Sequence, residues 1–250
     1  MRRLRSQDGF TLPELLVTMV IAMILSLATF SLIEVVMKRS GDVGARVETT
    51  ATGRTAMDQI TRQLRSQVCA KRATMGTARS IDAAGPASLT VFADFTNENV
   101  SGGIMPAPDL RTISWANNIF TETVVKGTRK DTDNSVSYSG TGTSRQFLTS
   151  VVAAEFLNND KTKPIFFRYY KFPDAGTVGA NAALPNEEIA AGAYRNLTDD
   201  ELLSVARITI SFDVLPKSGN VNGATMLQNE IYVRTADPNA QSPKPTCLTY

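Results

Sequence analysis

Between Glu14 and Glu34 the chain runs through 19 residues, Leu15 to Ile33, without a charged side chain. A helix needs about 20 apolar residues to cross the hydrocarbon layer of a bilayer, so this run predicts a membrane-spanning helix before anything else is read. At its mouth stands Gly9-Phe10-Thr11-Leu12-Pro13-Glu14-Leu15, which sets a lone carboxylate against the apolar segment. A carboxylate at the bilayer centre costs roughly 2.5–3.5 kcal/mol on insertion scales, and even near the edge it calls for a functional reason and a cationic partner.

A short leader bearing Arg2, Arg3 and Arg5, a glycine, a phenylalanine, and a glutamate at the fifth position after the glycine resemble the type IV prepilin signature. The resemblance is close over residues 1 to about 40 and loose beyond. It implies that a membrane-bound prepilin peptidase/methyltransferase cuts after Gly9 and methylates the new amino terminus of Phe10. It also implies that Glu14 of one subunit meets the Phe10 ammonium of a neighbour during assembly. The implied organisation is a cleaved leader over 1–9, a transmembrane and filament-core helix over 10–37, an amphipathic helix half over 38–72, and a strand-rich globular pilin domain over 73–250. The implied fold is α+β and pilin-like, a long N-terminal helix packed on an antiparallel β-sheet domain. The chain is then expected as a single-pass cytoplasmic membrane protein with an extracytoplasmic C-terminal domain, later at the pilus or cell surface. Two other readings of the same residues stay open. A secretory signal peptide would use Leu15 to Leu27 as its apolar core and Ser26-Leu27-Ala28 as its cleavage site, leaving Thr29 as the mature terminus. A plain uncleaved anchor would keep Met1.

The net charge of the 250 residues is +2, and the leader arginines offset by Asp8 account for it, so the chain from Phe10 onward is formally neutral. Bulk charge therefore gives a nucleic-acid partner no support. The sequence contains no histidine, which removes the commonest general base and metal ligand and excludes Ser-His or Cys-His catalysis. No enzymatic activity and no cofactor are expected. Asp131-Thr132-Asp133-Asn134-Ser135 places oxygen ligands at alternating positions but lacks the glycine and terminal glutamate of a calcium loop, so a solvated turn without metal is the expectation. In an exported protein the two cysteines, Cys69 and Cys247, are expected to form a disulfide that ties the tail to the helix. Two buried thiols are the other reading.

From Gly41 to Val68 the residues Val43, Val47, Ala51, Met57, Ile60, Leu64 and Val68 form one apolar stripe at helical spacing. Arg46, Glu48, Arg54, Asp58, Arg62 and Arg65 read as its solvated back. Gly41 and Gly44 mark a hinge, since glycine disfavours a helix interior by up to about 1 kcal/mol. Beyond Gly76, strands are predicted over 88–95, 111–115, 165–170, 205–214 and 229–234, the last two joined as a hairpin across Pro216–Gly223. Segments 126–145 and 174–200 read as loops, the latter running into a short helix at Thr198–Val205. Trp115, Phe166, Phe167, Tyr169 and Tyr170 read as core residues. With Arg168 to Lys171, they leave open a second class of function, an adhesin or DNA-binding module displayed on a pilin stalk. The expected function is structural: a minor pilin or pseudopilin, PilW-like or J-type, of a type IV pilus or a related type II secretion or DNA-uptake filament. Its partners would be the peptidase, other pilin or pseudopilin subunits and an inner-membrane assembly platform.

Overall fold

The uncharged run begins its helix at once. Thr11 precedes α1 (Leu12–Arg65, 54 residues), and its carbonyl accepts the amides of Glu14 and Leu15 at 3.1 and 3.2 Å. Pro13 falls in the first turn, where its missing N–H has no intrahelical partner to lose. Gly41 and Gly44 lie inside this helix. The computed structural model describes residues 11–72, 77–95, 107–130, 135–172, 184–216, 223–233 and 247. It divides into two compact units, Met1–Val47 and Glu48–Tyr250.

In the second unit, α1 buries Thr49, Gly53, Ala56, Met57, Ile60, Thr61, Gln63 and Leu64. Val43, Val47 and Ala51, counted in the predicted stripe, are exposed instead. The buried line runs through Thr49 and Gly53 because the sheet comes close there. A Cβ at residue 53 would lie 2.5 Å from Leu227 Cδ1 and 3.0 Å from Val214 Cγ2. The helix also stops before Val68. The Val68 amide donates to the Phe92 carbonyl at 3.0 Å and Gln67 bridges Ala93, so strand-type pairing replaces the helical ladder.

The strands are β1 (Ile81–Ala84), β2 (Ser88–Ala93), β3 (Asp109–Ala116), β4 (Ile119–Val125), β5 (Gly127–Arg129), β6 (Val136–Tyr138) and β7 (Thr143–Thr149). They continue with β8 (Val151–Val152), β9 (Glu155–Phe156), β10 (Pro164–Ile165), β11 (Phe167–Lys171) and β12 (Glu187–Glu188), then, after α2 (Asp199–Ser204), β13 (Arg207–Val214) and β14 (Thr225–Tyr232). One sheet has the order β1-β2-β3-β4-β7 and the other β12-β11-β13-β14, with β8 added to β13. All these pairings are antiparallel. The chain thus has a long N-terminal helix whose C-terminal part packs on antiparallel sheets.

The terminal hairpin runs in unbroken register from Arg207↔Tyr232 to Val214↔Thr225. Ile208, Ile210, Phe212 and Val214 are buried as their alternation requires. Thr209 and Ser211 are buried too, although alternation assigns them to the opposite face. Thr209 is flanked in register by Arg168 and Glu230, whose long side chains screen that side. The segment 126–145, read as a loop, contains β5, β6 and the start of β7. The hairpin of β3 and β4 turns on Asn117 and Asn118, with φ of 51° and 62°. Asparagine tolerates this left-handed pair, which matches the twist of the flanking strands.

Phe120 sits fully buried in the shared core, its ring 5.1 Å from Phe166 and 5.3 Å from Phe212. The Cys69–Cys247 disulfide joins residues 178 apart in sequence, with Cα atoms 5.5 Å apart. At the start of α2, Thr198 and Glu201 form a reciprocal capping box. Hydrogen bonds from Arg195, then from Thr198, hold the Glu201 carboxyl down from 4.5 to about 2. The stabilisation is therefore present above the unfolded value and fades as pH falls toward 2. Arg195→Ala should return the Glu201 midpoint, followed by NMR titration, toward the ordinary carboxylate range. Replacing Cys69 and Cys247 by serine should lower stability by up to about 5 kcal/mol, the chain-entropy value for so long a loop, measured by urea unfolding.

Candidate functional site

Every residue from Thr11 to Gly44 is exposed, including the whole uncharged run. Its few hydroxyls turn back on their own helix: Thr18 donates to Leu15, Ser26 to Ala22 and Thr29 to Leu25 carbonyls at 2.8–2.9 Å. A segment in hydrocarbon must satisfy its polar groups internally in this way. Among the described residues, this is the one helix long and apolar enough to cross a membrane. A Lys38–Glu34 ion pair at 2.8 Å follows the run. Glu14 lies in the first turn of α1, where an acid favours the helix dipole. It accepts a long hydrogen bond, 3.5 Å, from the Thr11 hydroxyl and meets no cation among the described residues. Gly9 and Phe10 lie outside the described residues.

The aromatic and basic residues of β11 form no open platform. Phe166, Phe167 and Tyr169 are buried, and Trp115 lies 4.8 Å from the Phe166 ring while its Nε1 donates to the Val151 carbonyl at 2.9 Å. Tyr170 is covered by the Arg207 guanidinium at 4.1 Å. Arg168 donates to Glu155 and, at 2.5 Å, to Glu188. Lys171 pairs with Glu187 and Arg207 with Glu230, each at 2.9 Å. These cations are therefore already matched by carboxylates, whereas a nucleic-acid groove needs open positive charge beside free aromatic faces. Among the described residues no cluster of His, Cys, Asp or Glu could hold a metal. Asp131, Asp133 and Asn134 lie outside them.

A polar lock fixes α1 on the first sheet. Glu122, on β4, is fully buried. Its carboxylate accepts from Arg111 Nη1 at 2.7 Å, Arg145 Nε at 2.6 Å and Gln63 Nε2 at 2.5 Å, with Gln59 Nε2 at 3.4 Å. Arg111 is in turn stacked 4.4 Å from the Phe95 ring centroid and bonded to Asp109. Strand alternation does not single out Glu122. The available signal was a charge at the same inward register as Phe120, together with Gln59 and Gln63 one helical turn apart beside Ile60 and Leu64. Breaking a buried pair strands the remaining charges. Glu122→Ala should therefore cost about 3–5 kcal/mol, and Arg145→Ala, whose side chain is 59% exposed and which leaves Glu122 paired with Arg111, should cost less, compared by denaturant unfolding.

A family model described as the prokaryotic N-terminal methylation motif matches residues 4–30. Among solved structures, the chain is similar to one in the crystal structure of the GspK-GspI-GspJ complex from the type 2 secretion system of enterotoxigenic Escherichia coli. That likeness has 6% identity, covers 74% of this chain and 97% of the other, and has a TM-score of 0.39. No curated protein matches the chain. The methylation motif leads directly into the apolar half of α1, whose other half lies on antiparallel sheets, and the chain is type IV prepilin-like over the matched residues 4–30.

Proposed function

We propose that the chain is a minor pilin or pseudopilin, a structural subunit of a type IV pilus or of a related type II secretion or DNA-uptake filament. The observation that carries this reading is the methylation motif over residues 4–30 overlying an uncharged helical run whose first turn holds one acid. In this reading the prepilin peptidase/methyltransferase removes residues 1–9 and methylates Phe10. The helix then anchors the subunit in the cytoplasmic membrane, with the globular unit outside the cytoplasm, until the assembly platform moves it into the filament.

Glu14 supplies the chemistry of incorporation. A carboxylate leaving the headgroup region for an apolar filament core is stabilised only if a cation enters with it. Cleavage after Gly9 creates that cation, the Phe10 ammonium, and the two groups neutralise each other between adjacent subunits. The helix then needs no other charge along its apolar length. The matched ion pairs around Arg168 and Lys171 favour this structural role over an adhesin or DNA-binding module.

Sequencing the mature amino terminus should yield N-methylated Phe10; Thr29 or Met1 would overturn the reading. Replacing Gly9 by a bulky residue should leave the full-length chain in the membrane, seen as an unshifted band on gels. Glu14→Ala should be cut normally yet be lost from sheared filaments by roughly tenfold or more, as expected from removing about 1.4 kcal/mol or more of pairing energy.

A further inference from the structure

An antiparallel strand turns its backbone groups alternately to one side and the other. The Val233 amide donates to the Ala206 carbonyl at 2.9 Å, which fixes that alternation along the terminal hairpin. In the register Arg207↔Tyr232 to Val214↔Thr225, the N–H and C=O groups of residues 225, 227, 229 and 231 face β13, and those of Met226, Gln228, Glu230 and Tyr232 face away. β14 is the last strand of its sheet, so these groups look outward. Among the described residues, the Glu230 amide donates to Asn229 Oδ1 at 2.9 Å, and the amides of Met226, Gln228 and Tyr232 have no partner.

The other sheet margins are blunted. Beside β1 the Leu197 amide donates to the Ala84 carbonyl at 2.8 Å, β7 is bulged opposite Phe120 and Thr121, and β12 has two residues. β14 has eight residues, pairs without a bulge and contains neither proline nor lysine, so it lacks the devices that usually protect an edge. Met226 and Tyr232, 55% and 51% exposed, stand on its solvent side with Gln228 and Glu230 between them. Donors and acceptors that repeat every second residue, about 7 Å apart, match the backbone of another extended polypeptide. A phosphate chain supplies acceptors only. A second copy of β14 fits poorly in the stronger, antiparallel mode. α1 follows β14 from Thr50 beside Thr225 to Thr61 beside Asn229, so that pairing would run the two α1 helices in opposite directions. Chains anchored in one membrane by the same end of α1, as proposed above, run in the same direction.

We propose that the free edge of β14 binds an extended segment of a different polypeptide by antiparallel strand addition. The side chains flanking Met226 and Tyr232 are apolar, and those flanking Gln228 and Glu230 are polar and uncharged, since Arg207 already holds the Glu230 carboxylate at 2.9 Å. Backbone pairing supplies the affinity of such a contact and the alternate side chains its specificity.

Hydrogen exchange of the full-length chain in detergent micelles is read residue by residue by NMR. The amides of Met226, Gln228 and Tyr232 should exchange fast while those of Leu227, Asn229 and Ile231 are protected. Protection of all six in the free chain would overturn the proposal, whether a second copy or another part of the chain supplies it. The probe is a lysine-flanked peptide, Val-Thr-Thr-Ser-Thr-Thr-Val, whose alternate residues provide the apolar and polar positions. At millimolar peptide the three outward amides should slow at least tenfold. The same peptide N-methylated at alternate residues should leave them unchanged. Gln228→Pro removes an outward N–H and no bond of the fold, and it should abolish the slowing while Leu227 and Ile231 stay protected. Met226→Lys with Tyr232→Lys keeps the test usable should proline disturb the strand, and it should weaken the effect at least tenfold. No slowing in the wild type, or equal slowing in the folded variants or by the methylated peptide, would sink the proposal. The mature amino terminus, which tests the filament reading, is indifferent to every one of these outcomes.

Discussion

The seating of α1 on the sheets depends on one buried carboxylate. Apolar contacts from Ile60 and Leu64 supply burial, but burial is indifferent to small rotations and slides of a helix. Glu122 removes that freedom because its two oxygens must meet Gln63, Arg111 and Arg145 together. Turning α1 by one residue would take Gln63 out of reach and leave one bond to a buried carboxylate unmade. A partly satisfied polar network is worse than none, so the site imposes position more than it adds stability.

That position decides what the rest of the helix presents. With Gly53 against Leu227 and Val214 and Thr61 bonded to Asn229, the second sheet holds the same face from another direction. The arginines at 54, 62 and 65 are therefore held outward by the packing behind them. The close approach at Gly53 needs the missing side chain, and the bond to Thr61 needs the hairpin register that brings Asn229 beneath it.

The sequence was most readable where one residue property decides the outcome. The uncharged run defined α1's first half, and strict alternation defined β13, whose hairpin partner, expected over 229–234, lies at Thr225–Tyr232. Thr198, Asp199 and Asp200, three candidate caps in a row, located α2, and Thr198 is the one that caps it. Reading failed where a partner far along the chain decides. Val43 and Val47 have the right spacing for a core stripe, yet the sheets reach the helix only from Thr49 onward. Short strands such as β5 and β6, three residues each, carry too few side chains to show a period. The Asn117-Asn118 pair is a local turn signal between β3 and β4. Glu122 was invisible because a glutamate in a threonine-rich strand looks like a solvent-facing residue until the helix and the neighbouring strands are laid over it.

The disulfide changes how the globular unit bears load. Covalently, residues 69–247 form a closed ring attached to α1 through the short stretch after Arg65. A pull between the helix and Cys247 travels through that stretch and the sulfur bridge, bypassing every strand enclosed by the ring. A load applied at Cys247 therefore reaches α1 through covalent bonds alone, without separating the paired strands.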